Sequence, residues 1–288
     1  EKFENGDEGD RLREYLQHLT GRRVAAVMAA EIGGGNGLLP ITWAARLGLP
    51  LVDADGMGRA FPEVPQVTMH LAGIPASPAV MTDERGNLAM FRTISGDWME
   101  RLERAAAVEF GGTASATEFS LTAAQARQAT VRDSVSLAIR IGEAIGSAAG
   151  SPVAALITEL GAFSLINGKI SDVERQTIKG FARGSVRIEG LAEDAGRVIR
   201  LELQNENLVA LEHDRLLASV PDLITVLDSE TADAITTERI KYGQRVTVIA
   251  FACDPVWRTE RGIAVTGPRA FGYDLDYQPV EDLASATA

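Results

Sequence analysis

Cysteine is nearly absent: Cys253 is the single one in 288 residues. That excludes an internal disulfide framework and any cysteine-rich zinc or iron–sulfur site, and it fits a reducing cytoplasm. The three histidines, His18, His70 and His213, are scattered without ligand spacing, so no histidine metal site is signalled, and His70 is the least bland of them. Basic residues are also scarce. Against 40 Asp and Glu there are 28 Lys and Arg, a formal net charge of −12. Such a surface has few cations to exchange for the counterions of a phosphate backbone or an anionic lipid, which argues against nucleic-acid and membrane partners. No apolar run approaches the roughly 20 residues a bilayer span needs, and the opening EKFENGDEGD reverses the basic-then-apolar order of a signal peptide.

What the chain does have is the composition of a globular protein, 45% hydrophobic and 24% charged. Its length allows one large domain or two smaller ones, and a change of texture favours two. Up to about residue 150 the pattern is mixed. Leu12, Leu16 and Leu19 recur at helical spacing; Val24 to Ala30 is a short apolar run suited to a strand buried on both faces; Leu39 to Leu47 reads as a helix; and Leu51-Val52 opens a second strand. Together these predict a βαβ unit. A hairpin is expected over 79–82 and 88–91 around DERGN, then helices over Asp97–Phe110, Ser134–Ala148 and Val153–Leu160. Beyond Gly161, alternating runs such as GSVRIEG, LITVLD and RVTVIAFA predict a mainly antiparallel β module. The expected fold is α+β or α/β: an α/β domain over 1–150 carrying the glycine-rich and DADGMGR loops, and a β-rich domain over 151–288.

Two loops carry the chemistry. EIGGGNGLLP, residues 31–40, lies between strand and helix, where Gly33, Gly34, Gly35 and Asn36 let the backbone approach a ligand and the helix N-terminus presents free N–H groups. Glu31 ends the strand, on the rim where open α/β sheets bind ligands. Gly33-x-Gly35 with Asp53 twenty residues on resembles a dinucleotide fingerprint, but Leu38 stands where the third glycine belongs, so NAD is not expected. The second loop, VDADGMGRAFPE, supplies Asp53, Asp55, Arg59 and Glu63. Its aspartates could share a proton, hold a hard cation or bond ring nitrogens; equally, they could cap the turn and pair with Arg59. With Glu31 they are candidate catalytic groups, and a divalent metal is compatible with them.

Elsewhere the signals are weaker. Cys253 reads as a buried hydrophobe with no histidine beside it, and LELQNENLVA as a polar turn. Arg269 in GPRAFGYDLDY is a candidate anchor for a carboxylate or carbonyl group.

Taken together, EIGGGNGLLPITWAARLGLPLVDADGMGRAFPE, GFARGSVRIEG, LQNENLVA, VPDLITVLD, CDPVWRT and GPRAFGYDLDY resemble the S-methyl thiohydantoin desulfurase domain family, collinearly over nearly the whole chain. The resemblance implies a cytoplasmic enzyme of hydrolase type that cleaves the carbon–sulfur bond of a small thiohydantoin-like ring. It also implies company with hydantoinase and oxoprolinase proteins, and a further glycine-rich segment ahead of residue 1. The alternatives are a non-catalytic subunit of a hydantoinase or oxoprolinase complex and, more remotely, a nucleotide-binding oxidoreductase. A homo-oligomer is compatible with each.

Overall fold

The computed structural model describes residues 5–178 and 181–286 and has an α+β fold. The chain divides into two units, Glu1–Ser136 and Leu137–Ala288. Among the described residues no helix is long and apolar enough to cross a membrane.

In the first unit, α1 (Glu8–Thr20) closes at Gly21, which is left-handed with φ +64°. Its Leu12 and Leu16 pack with Val80, Trp43 and Leu88. Helix α2 (Gly34–Leu47) begins five residues earlier than the apolar periodicity predicts. The glycine run is therefore its cap and first turn, with Gly33 extended at the N-cap and Gly34 at φ +47°, a region that favours glycine. The βαβ unit survives in a reduced form. Val27 and Leu51 make a single parallel bridge around α2, held by Val27 N–H to Pro50 O (2.9 Å) and Val52 N–H to Val27 O (2.8 Å). The expected strand over 24–30 does not extend further. Of its residues only Ala29 is buried, so the burial on both faces that its composition suggested is not realised.

Next come β1 (Ala54–Asp55), the short α3 (Thr68–Leu71), and the hairpin of β2 (Ala79–Thr82) and β3 (Leu88–Phe91), paired around DERGN as expected. Then follow α4 (Gly96–Glu109), β4 (Ser115–Thr117), α5 (Ala123–Ala129), β5 (Val131–Arg132) and α6 (Ser134–Gly146), the last entering the second unit. β3-β2-β4 form one antiparallel sheet and β1-β5 a two-stranded one. α4 buries Met99 and Glu103, four residues apart on one face.

The second unit continues with α7 (Pro152–Leu160) and seven strands: β6 (Phe163–Ile178), β7 (Phe181–Gly190), β8 (Val198–Gln204), β9 (Glu206–Glu212), β10 (Arg215–Ser219), β11 (Leu223–Asp228) and β12 (Arg245–Phe251). They form one antiparallel, curled sheet in the order β10-β9-β8-β7-β6-β12-β11. Ile166, Ile170, Val186, Ile188, Leu201 and Val248 fill its interior, and Val153 and Leu156 of α7 pack on Leu227 and Ile249. The tight turn of LQNENLVA is the β8–β9 connection, with Asn205 at φ +60°. α8 (Glu260–Thr266) and α9 (Val280–Ser285) close the chain. Three of the sequence motifs meet at Asp222, which is fully buried. It accepts the Cys253 N–H (3.0 Å), the Arg258 guanidinium (2.7 Å), the Tyr277 hydroxyl (3.0 Å) and the Val280 N–H (2.9 Å).

Candidate functional site

The site is organised by the DADGMGR loop. Gly56 lies so close to the neighbouring strand end that a Cβ there would stand 2.7 Å from Ala30 O and 2.8 Å from Met69 Cε. Gly58 is left-handed, with φ +71°. These two glycines let the chain fold back around the Asp55 side chain, which is completely buried. Its Oδ2 accepts three backbone N–H groups: Gly58 at 2.7 Å, Met57 at 2.9 Å and Ile32 at 3.1 Å. Oδ1 is buried without a well-formed hydrogen bond, and the likewise buried Ser134 hydroxyl is the side chain that acts on it. Burial raises the pKa of Asp55 despite these donors. Asp55 thus ties the residue that follows Glu31 to the loop, reaching across 23 positions of sequence.

Glu31 is half-buried at the same place. The Asn36 amide, from the first turn of α2, donates to its Oε1 at 2.6 Å, and the Phe61 N–H also bonds to it. Desolvation is the largest influence and pushes the Glu31 pKa up; the two donors pull it down and the Asp55 charge adds to the rise. A carboxyl group that is partly buried, hydrogen-bonded and raised above the ordinary carboxylate range suits proton transfer. Beside it, Gly34 and Gly35 are exposed at the opening of α2.

The other candidates disperse. Asp53 does not turn toward Asp55. It is exposed and caps α6, accepting the Ser136 N–H (3.0 Å) and hydroxyl (2.5 Å). Arg59 is buried, lies 4.7 Å from the Phe61 ring centre and donates to Ala60 O (3.2 Å). Glu63 is half-buried, its pKa raised by burial and by Glu100. Arg269 lies in the second unit, exposed, paired with Asp274 (2.6 Å) and Asp276 (2.9 Å). Among the described residues no group of three or more His, Cys, Asp or Glu side chains is placed to hold a metal ion.

One pair of titratable groups was not foreseen. Glu103, on the buried face of α4, shares a hydrogen bond with Glu118, just past β4. Burial, then the Glu118 charge, pushes Glu103 up to about 10. The signal was in the sequence: Glu103 follows Met99 by one helical turn, so the face that hides Met99 hides a carboxyl group too.

The chain matches the S-Me-THD-like N-terminal domain over residues 1–93 and the S-Me-THD-like C-terminal domain over residues 94–280. Among solved structures, it resembles the X-ray crystal structure of a protein from Chromobacterium violaceum, with a TM-score of 0.81 and 24% identity over 96% of this chain and 78% of that one. That likeness speaks to fold alone. No curated protein matches. Matched in both halves and collinear in its motifs, the chain belongs to the S-Me-THD-like family.

Proposed function

We propose that the protein is a hydrolytic desulfurase of small S-methyl thiohydantoin-like rings, with Glu31 as its proton carrier. The observation that supports this reading is the setting of Glu31. It is held by Asn36 and the Phe61 N–H, raised by burial and bordered by the glycine-built start of α2.

In the proposed step ionised Glu31 takes a proton from water as the water oxygen bonds to the ring carbon between the two nitrogens. The carbon–sulfur bond then breaks. Methanethiolate leaves and receives the proton that Glu31 holds, so the sum is ring plus water giving hydantoin plus methanethiol. Backbone N–H groups at the start of α2 are suited to the negative charge that develops on the ring nitrogen during attack. Asp55 is assigned a supporting role, since its oxygens are turned inward to the loop.

The test is Glu31→Gln in the full-length protein, assayed for methanethiol release from an S-methyl thiohydantoin. The amide keeps the shape and the bond to Asn36 but carries no proton, so kcat should fall by about 10²–10⁴ with the fold intact. Wild-type turnover in this variant removes Glu31 from the reaction. No turnover by the wild-type protein, with tight binding to a hydantoinase or oxoprolinase subunit, would favour the role of non-catalytic partner instead.

A further inference from the structure

The Glu103–Glu118 pair is not used by the proposed reaction and its geometry calls for a role. Glu103 is 4% exposed, and its Oε1 has no hydrogen-bond partner. Glu118 sits on a segment with little freedom. On one side Thr117 pairs with Val80 in the sheet; on the other Phe119 is buried, donates its N–H to Ala76 O (3.2 Å) and holds φ +45°. A bulky residue in that region is strained and persists only where its surroundings impose it. On the other partner's side, Met99, fully buried one turn before Glu103, fixes the face that α4 presents. Glu103 therefore cannot retreat to solvent while α4 stays seated, and the half-buried Glu118 is held beside it by its own backbone.

Two carboxyl groups so placed cohere only if a proton lies between them; as two anions in a buried site they repel. The surrounding charges do not relieve this. On α4 itself Glu100 acts on both groups and raises both, while Arg104 is engaged by Glu100 (Nε to Oε1, 2.6 Å) and by Pro62 O (3.1 Å). Asp97 lies at the start of the same helix. From the adjoining loop Glu63 faces Glu100 and Arg104, and Arg92 follows β3 in an exposed position.

We infer that Glu103 and Glu118 form a proton-held latch that seats α4 on the segment after β4, and that alkaline loss of the shared proton releases the helix. α4 in turn holds the 62–64 segment through the Val64 N–H to Glu100 (2.9 Å) and Arg104 to Pro62 O. That segment begins one residue after Phe61, whose N–H holds Glu31. Release of the helix therefore reaches the edge of the candidate site.

The test is native-state hydrogen exchange of the full-length protein between pH 6 and 10.5, corrected for intrinsic exchange, comparing the amides of α4 with those of α1. One linked proton gives a tenfold change in an opening equilibrium per pH unit. Protection of α4 should thus fall about tenfold per pH unit from pH 6 upward and level off once the closed state itself has lost the shared proton, with α1 little changed. Glu103→Gln supplies a permanent donor to Glu118 and should flatten the profile. A parallel fall in Glu103→Gln, or α4 protection in the wild type that is level to pH 10.5, overturns the latch. Should that variant not fold, Glu118→Gln is read in the same way. Carboxyl ¹³C titration of the wild type decides independently: two coupled Glu carbons are expected to titrate above the ordinary carboxylate range, and their absence refutes the proposal.

Discussion

Replacing Asp55 by alanine is expected to unmake the loop on which the candidate site is built. Three backbone donors, from Ile32, Met57 and Gly58, end on one carboxylate oxygen. A hydrogen bond to a charged acceptor contributes about 1.5–3 kcal/mol, and a buried donor left without a partner costs about 1–3 kcal/mol. Simple addition overstates the loss, because the three bonds share one acceptor, Gly58 and Ile32 are partly open to water, and burial of the Asp55 charge already costs part of the gain. A net loss of about 3–5 kcal/mol remains, a large share of the 5–15 kcal/mol typical of a domain. Asparagine is the control. It keeps an acceptor for the three donors, sets its NH₂ toward the Ser134 hydroxyl and removes the buried charge, so Asp55→Asn should stay within about 1 kcal/mol of wild type. Urea unfolding at pH 7 reads both variants, with Trp43 and Trp98 reporting on the first unit and Trp257 on the second. An alanine variant within about 1 kcal/mol of wild type refutes the anchoring role. An asparagine variant that is fully folded yet inactive would return Asp55 to the chemistry.

The raised pKa of Glu31 gives the acidic limb of kcat/KM a sign: the base form is needed, so activity rises with pH through an inflection above the ordinary carboxylate range, and an inflection at or below that range contradicts the desolvated setting. Asp53→Ala should cost about 1 kcal/mol through loss of the α6 cap and leave kcat within a few-fold, as judged by thermal unfolding and the methanethiol assay. Cys253 is buried, and desolvation first, then Asp222, pushes its thiol up to about 12. Alkylation by iodoacetamide at pH 7.5 should be negligible in the native protein and prompt in urea, and rapid native labelling would contradict that burial.

The stretches that matched expectation are those in which structure follows from neighbours in the chain. Two short apolar runs around the DERGN turn place β2 and β3, the helical stretches place α4, α6 and α7, and the strand-like texture beyond Gly161 becomes the antiparallel sheet. The nearness of Glu31 and Asn36 was legible for the same reason, since one residue immediately precedes the glycine turn and the other lies in the helix turn that follows. Partner choice over longer separations was not legible. Asp53 and Asp55 are two residues apart in one loop and look alike in sequence, yet Asp53 is claimed by a helix start 83 positions later and Asp55 by the N–H groups of a chain that turns back on it. Glu103 carries its burial in the helical pattern, but nothing local says that Glu118 is the group it meets. Asp222 likewise collects groups 31 to 58 positions away. Periodicity records how much water a position loses on folding, because that depends on its own face of its own element. Which charge or donor replaces the water is settled by the packing of elements remote in sequence, and here that packing determined which carboxyl groups stand open, which are capped and which must share a proton.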